Sequence, residues 1–369
     1  MAEFNIEGID KNLAVDVKIE AENLRLFDVK KPPFSLYGLY NPSGEPEFKR
    51  MPDDVAATVS PGVKRLARNT AGGRVRFSTD SPYVVLKAIM PSITRFSHMP
   101  LTGTSGFDLY IDSEDGTESL YYKTFVPPSG ITDGYESKIE FTTGGVHFVT
   151  IHFPLYNTLS ELYIGVKDGS YLGEGAKYRD FLPIVYYGSS ITQGGCASRP
   201  GNAYTNRLSR TLSIDHINLG FSGNGKGEDP MIEYLASLPM SAFVSDYDHN
   251  ANTPEHLIAT HKKLYEAVRE KHPDVPYLIL SRPDFRVNHG FNDDFQRNIN
   301  CRRVIFDTYH YARDIGDRNV YLIDGEGLFR GPHEDSCTVD GVHPNDLGFA
   351  LMADAVECVF RRVLRDGKM

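Results

Sequence analysis

Two short segments far apart in this 369-residue chain hold the residue types that acyl transfer needs. Ile184-Val185-Tyr186-Tyr187-Gly188-Ser189-Ser190-Ile191-Thr192-Gln193-Gly194-Gly195 runs from an apolar stretch into a glycine-flanked pair of serines, and Asp340-Gly341-Val342-His343 offers an imidazole with a carboxylate three residues before it. A serine hydroxyl is a poor nucleophile until a base takes its proton, and the imidazole that does so works best when a third group holds its tautomer. Three-residue spacing on a loop lets Asp340 turn back to the far nitrogen of His343, which makes His343 the candidate base and Asp340 its orienting partner. Each segment has a plainer reading, a capped strand-to-helix turn for the first and a turn before a helix for the second. Their coincidence in one chain favours the catalytic reading.

Such groups need rigid elements to aim them. From about residue 180 onward, short apolar runs at Ile184–Tyr187, His216–Leu219, Ala242–Ser245, Tyr277–Leu280 and Val320–Ile323 alternate with helical patterns over 201–213, 254–271, 292–313 and 345–365. Alternation of this kind predicts a parallel sheet covered on both faces, with reactive groups on loops at the carboxyl ends of the strands. The serine pair falls at such an end. Residues from about 35 to 170 show period-two alternation instead, as in Val75/Phe77, Phe107/Leu109/Ile111 and Leu162/Ile164/Val166, which predicts an antiparallel sandwich. The periodicity breaks within Lys167–Leu182, so a sandwich domain over 1–178 and an α/β domain over 179–369 are expected.

Composition narrows the function classes. With 40% hydrophobic and 24% charged residues the chain reads as an ordinary globular protein, and a net charge of −10 argues against a nucleic-acid partner. No apolar run approaches the roughly 20 residues that span a bilayer. The acidic start Met1-Ala-Glu-Phe-Asn lacks the pattern of a secretory signal, so the chain as written is expected in the cytoplasm, or outside the cell if it is a processed mature form. Four cysteines, Cys196, Cys301, Cys337 and Cys358, form no metal knuckle and are expected as free thiols, although Cys196 and Cys337 flank the two candidate motifs and become a candidate pair if those motifs meet. No cofactor and no metal are implied.

Gly188-Ser189-Ser190-Ile191-Thr192-Gln193-Gly194 does not fit the GxSxG elbow, since neither serine has glycine at both second neighbours. It resembles block I of the SGNH (GDSL) hydrolases, Gly-Asp-Ser followed by an aliphatic, a hydroxyl residue, any residue and Gly, with Ser189 in place of the family's Asp. Asp340-Gly-Val-His343-Pro-Asn-Asp-Leu-Gly348 is similar to block V, DxxH before the last helix. On that resemblance Ser190 is the nucleophile, and its own N–H is one oxyanion donor. Asn218-Leu-Gly-Phe-Ser-Gly223 resembles block II and implies a second donor at Gly223, with Gly220 behind it. The family's GxND is missing from Val244-Ser-Asp-Tyr-Asp-His-Asn250-Ala-Asn252, where Asn250 is the best candidate for the third donor and Asn252 the next.

The resemblance, to a bacterial subgroup with an amino-terminal β-sandwich, implies a flavodoxin-like three-layer fold and hydrolysis of small acyl esters, with O-acetyl groups on carbohydrate the favoured substrate. Arg199 and Asp284 are candidate substrate contacts; Tyr37, Tyr40, Tyr121 and Tyr122 are candidate sugar-stacking surfaces. Three rival readings stay open. One is an acyltransferase using the same groups, and another is a carbohydrate-binding protein that has lost activity. The third is a nucleotide enzyme, because Gly220 through Lys226 nearly spells a phosphate-binding loop but lacks the final Ser or Thr.

Overall fold

The computed structural model describes residue 19 and residues 23–251, 253–283 and 295–369. The amino-terminal half is built from β1 (Leu24–Asp28), β2 (Ser35–Tyr37), β3 (Arg74–Thr79), β4 (Tyr83–Ile89), β5 (Phe107–Asp112), β6 (Ser119–Phe125), β7 (Gly134–Glu140), β8 (His147–His152), β9 (Glu161–Lys167) and β10 (Leu172–Glu174). They form two antiparallel sheets, ordered β1-β9-β4-β7 and β10-β3-β8-β5-β6, with β2 added alongside β3. Alternate residues point inward from both sheets, so Val84, Leu86, Leu162 and Ile164 meet Val75, Phe77, Leu109, Val149 and Ile151 in one core.

The sequence pattern did not anticipate α1 (Asp53–Val59), α2 (Pro61–Leu66) or α3 (Leu101–Thr104) in this half. Their side chains explain their place. Ala56, Val63 and Leu66 turn away from the sandwich and join the apolar cluster of the second half.

That second half carries a five-stranded parallel sheet. Its strands are β11 (Ile184–Gly188), β12 (His216–Gly220), β13 (Ala242–Asp246), β14 (Tyr277–Leu280) and β15 (Val320–Ile323), in the order β12-β11-β13-β14-β15. The order 2-1-3-4-5 is that of a flavodoxin-like fold. Between and after the strands lie α4 (Ser190–Gln193), α5 (Tyr204–Leu212), α6 (Asp229–Ser237), α7 (Pro254–Lys271), α8 (Phe295–Asp314) and α9 (Asp346–Arg365). β11 and β13 are buried along their whole length, as strands covered on both faces must be. Val185, Tyr187, Phe243 and Ile279 pack against α6, α7 and α8. Ile184, Tyr186, Val244 and Leu278 pack against α5 and α9 on the other face, completing three layers.

The sandwich presents a polar outer face to this domain. Arg74, Arg76, Asp108, Asp112, Thr150 and His152 all lie on β3, β5 and β8, and all are buried. They are paired rather than solvated: Arg76 meets Asp112 at 3.0 Å, His152 meets Asp108 at 3.2 Å, and Arg74 reaches Asp215 at the start of β12. Among the described residues no helix is long and apolar enough to cross a membrane.

Candidate active site

β11 ends at Gly188, and the chain turns at once into the single turn of α4. Ser189 Oγ accepts the Ile191 N–H at 3.1 Å and so caps that turn, a task a serine performs as well as an aspartate. This is why the departure from Gly-Asp-Ser leaves the local geometry intact. Ser190, the next residue, is 7% exposed, and its Oγ lies 2.9 Å from His343 Nε2.

His343 sits on a tight loop before α9. The Val339 N–H donates to the His343 carbonyl at 2.9 Å, which folds Asp340-Gly341-Val342 outward as a turn with Gly341 at φ +82°. Asp340 Oδ2 is 2.8 Å from His343 Nδ1, while Oδ1 accepts the N–H groups of Val342 and His343 at 3.0 and 2.8 Å. Partial burial pushes the Asp340 carboxyl up, but the hydrogen bonds from His343 and Val342 outweigh it and hold the group below its ordinary value. The carboxylate is therefore charged at neutral pH and keeps a proton on Nδ1, leaving Nε2 free to accept from Ser190.

Three further groups come to the same rim, at the carboxyl ends of β11, β12 and β13. Among the described residues nothing accepts the N–H of Ser190 or of Gly223. Gly223 sits at φ +69° with nothing within 4 Å of where a side chain would begin, so glycine is required there by conformation and not by crowding. Asn250 ends the short 3-10 turn after β13, and its side chain donates to the Phe221 carbonyl at 3.1 Å, so one of its two amide hydrogens is committed to the Gly223 loop. Asn252 and Asp284 lie outside the described residues.

Several expectations need correction. Arg199 does not reach for a substrate: its guanidinium is 2.8 Å from the buried Asp108, bonds the Tyr110 hydroxyl and stacks 3.8 Å over Tyr121. Of the four tyrosines read as sugar platforms, Tyr37 is taken up by its edge-on packing against Tyr178 in the seam, while Tyr121 covers Arg199 yet stays exposed, as does Tyr40. Cys196 and Cys337 do not pair; all four thiols are free, and burial, then the Asp340 charge, pushes Cys196 up to about 12. The phosphate-loop reading fails on backbone grounds. The Asn224 and Gly225 N–H groups turn inward to the Phe221 carbonyl, and the next helix begins only at Asp229. Asp246 is likewise inward, accepting from Thr192 and Tyr204 at 2.9 and 3.1 Å.

Other groups at the site gave no signal in the sequence. Arg50, 1% exposed, donates to the carbonyls of Leu66, Asn69, Asn218 and Gly220 at 2.6 to 3.0 Å and so clamps the end of β12. Gln193, one residue of the serine motif, accepts the Ser222 N–H at 3.0 Å and donates to Asn69 and Leu155 at 3.1 Å. Tyr156 donates its hydroxyl to the Ser190 carbonyl at 3.1 Å. The His98 ring, on a loop of the sandwich, lies 5.5 Å from the His343 ring. A cavity of about 160 Å³ opens beside Ser222, between the two halves, lined by Asn69, Thr94, Phe96, Tyr156 and Asn157 among others.

Comparison with known proteins speaks to the family and the fold. Residues 182–361 match the model of the GDSL-like lipase/acylhydrolase family, and residues 24–172 match a family described as the N-terminus of SGNH-hydrolase-type esterases. The chain belongs to the GDSL-like, SGNH-type hydrolases. The second model is named for a GxDLY motif, which stands here as Gly106-Phe107-Asp108-Leu109-Tyr110; its Asp and Tyr are the two groups that hold Arg199. A protein described as a GDSL-like lipase from Bacteroides ovatus is 29% identical, with a TM-score of 0.83 over 93% of this chain and 98% of its own. The salicylyl-acyltransferase SsfX3 of a tetracycline biosynthetic pathway shares the fold at 20% identity and a TM-score of 0.74, covering 94% of this chain and 99% of that one. So does a family two carbohydrate esterase from Clostridium thermocellum, at 14% identity and a TM-score of 0.63, over 92% and 100% of the two chains. No curated protein matches the sequence.

Proposed function

We propose that this acylhydrolase is a serine esterase that removes short acyl groups, O-acetyl above all, from a hydroxyl-rich alcohol of the carbohydrate class. The observation that carries the reading is the continuous relay from Ser190 Oγ through His343 to Asp340, with links of 2.9 and 2.8 Å. Ser190 attacks the ester carbonyl as His343 Nε2 takes its proton. The tetrahedral oxyanion is held by the N–H groups of Ser190 and Gly223 and by the remaining amide hydrogen of Asn250. His343 then protonates the departing alcohol and activates a water that hydrolyses the acyl-enzyme. Carbohydrate esterases recur among the similar folds, which favours a sugar ester over an alkyl ester.

The test is hydrolysis of 4-nitrophenyl acetate, butyrate and octanoate, followed by acetylated sugars, by the wild type and Ser190→Ala. Activity that falls with chain length and vanishes in the variant supports the reading; equal activity in the variant would sink it. The fold of SsfX3 favours a second reading, in which a hydroxyl acceptor replaces water. Adding a polyol acceptor separates the two: an acyltransferase forms the new ester in preference to free acid, whereas an esterase does not.

A further inference from the structure

We propose that His98, Cys196 and His343 form a binding site for Zn²⁺ or another thiophilic divalent cation, and that occupancy of this site switches off the nucleophile. One nitrogen from each imidazole and the Cys196 sulfur lie within 4.8 Å of one another. In a tetrahedral site with Zn–N of about 2.0–2.1 Å and Zn–S of about 2.3 Å, ligand atoms stand about 3.5 Å apart. Closing the difference takes side-chain rotation of about 1 Å, within reach of the half-buried His98 ring. Two imidazoles and one thiolate select Zn²⁺ or Co²⁺ over Mg²⁺ or Ca²⁺, and three protein ligands leave a fourth position for water.

The surroundings of the three groups fit this use. His343 Nδ1 is held by Asp340 at 2.8 Å, so the nitrogen left for a cation is Nε2, in the carboxylate–histidine–metal arrangement that raises ligand basicity. Among the described residues neither ring nitrogen of His98 and not the Cys196 sulfur has a hydrogen-bond partner, and the proposed ester chemistry uses neither side chain. Cys196 also stands at φ +74°, where a residue with a side chain is strained and glycine would be at ease. Coordination releases the thiol proton to solvent, and the resulting thiolate offsets one of the two cationic charges.

Inhibition follows because Nε2 is the atom that accepts the Ser190 proton, a step that rests on the esterase reading above. A cation on Nε2 leaves Ser190 without a base. At ten times the dissociation constant the active fraction falls to about one eleventh by mass action.

The experiment has two independent readouts on the full chain. Titration with Co²⁺ is expected to give one equivalent of a thiolate-to-metal charge-transfer band, absent in Cys196→Ser and in Cys196→Gly and weakened at least tenfold in His98→Ala. Zn²⁺ is expected to inhibit 4-nitrophenyl acetate hydrolysis reversibly, with EDTA restoring it. Its inhibition constant, taken against each variant's own metal-free rate, should rise at least tenfold in His98→Ala and in Cys196→Gly. A missing thiolate band, or Zn²⁺ that inhibits both variants as strongly as the wild type, overturns the proposal. Failure of the esterase reading looks different: Ser190→Ala would then keep its activity while the Co²⁺ spectrum stayed as in the wild type.

Discussion

Replacing Asp340 by Asn tests the relay more sharply than removing the nucleophile, because it changes one proton and almost nothing else. Asp340 Oδ1 accepts two backbone N–H groups, from Val342 and His343, and an asparagine carbonyl oxygen keeps both. The turn closed by the Val339 N–H is untouched. At the other oxygen the substitution presents an N–H to His343 Nδ1 across the present 2.8 Å contact. Two donors cannot face each other, so Nδ1 gives up its proton and the hydrogen moves to Nε2, the nitrogen that must accept from Ser190. The wrong tautomer in a serine triad costs about 10⁴-fold in kcat, or about 5.4 kcal/mol at 1.36 kcal/mol per tenfold. We expect that loss with KM nearly unchanged and with a thermal midpoint within about 2 °C of the wild type, since no buried bond is lost. Single-turnover hydrolysis of 4-nitrophenyl acetate with parallel thermal melts is the assay. A variant that keeps more than a tenth of wild-type kcat refutes the argument, as it would show that Asp340 does not set the protonation of His343.

Three other outcomes follow from the same geometry. Asn250→Ala should lower kcat by about 10²–10³-fold, the cost of one oxyanion donor, while KM on 4-nitrophenyl acetate stays within a few fold; a change confined to KM would move Asn250 out of the oxyanion site. Arg199→Ala should cost about 1.5–3 kcal/mol of stability in a urea titration, because it removes one charge-assisted hydrogen bond from the fully buried Asp108, which keeps His152 and the Gly201 N–H; a raised KM with unchanged stability would return Arg199 to the substrate. Burial pushes the Asp248 carboxyl up to about 6 against the Arg282 charge, so between about pH 4 and 6 the unfolded chain sheds this proton first and stability falls as pH rises. Asp248→Asn should therefore stabilise the protein by on the order of 3 kcal/mol at pH 8 and far less at pH 4, read from urea midpoints at the two pH values.

What the sequence disclosed, it disclosed through local regularity. β11 through β15 are short apolar runs bounded by polar turns, and each lies within a residue of its expected position, because short apolar runs between helical patterns are what a covered parallel sheet requires. Asp340 and His343 were legible because a three-residue spacing within one loop is enough to define their contact. α6 was missed: Asp229–Ser237 follows a glycine-rich stretch and shows only Met231, Ile232, Leu235 and Ala236 as its buried stripe. α1 and α2 were missed for a related reason, since helices of 7 and 6 residues are too short to build a clear 3.6-residue period. Arg50 could not have been found at all. Its contact with the Gly220 carbonyl spans 170 residues, and a lone arginine in a polar segment carries no mark of burial.

The seam between the halves shows why the sandwich belongs to the site rather than beside it. The apolar part of the seam, through Ala56, Val63 and Leu66, holds the two halves together but would tolerate sliding, whereas a buried carboxylate is satisfied only where its donors stand. Asp108 on β5 takes Arg199 and the Gly201 N–H, both at 2.8 Å, and so fixes the loop that leaves the nucleophile turn. The same loop bonds back to the last helix, where Ser198 N–H donates to Asp346 at 2.9 Å at the start of α9. Asp346 lies three residues after His343. Two carboxylates and one loop thus connect the sandwich, the segment after Ser190 and the segment carrying His343, through contacts that each have one good geometry. Loss of Asp108 should accordingly be felt first as a loosened Ser190–His343 contact, not as a failure of the sandwich, whose own core lies on the opposite face of β5.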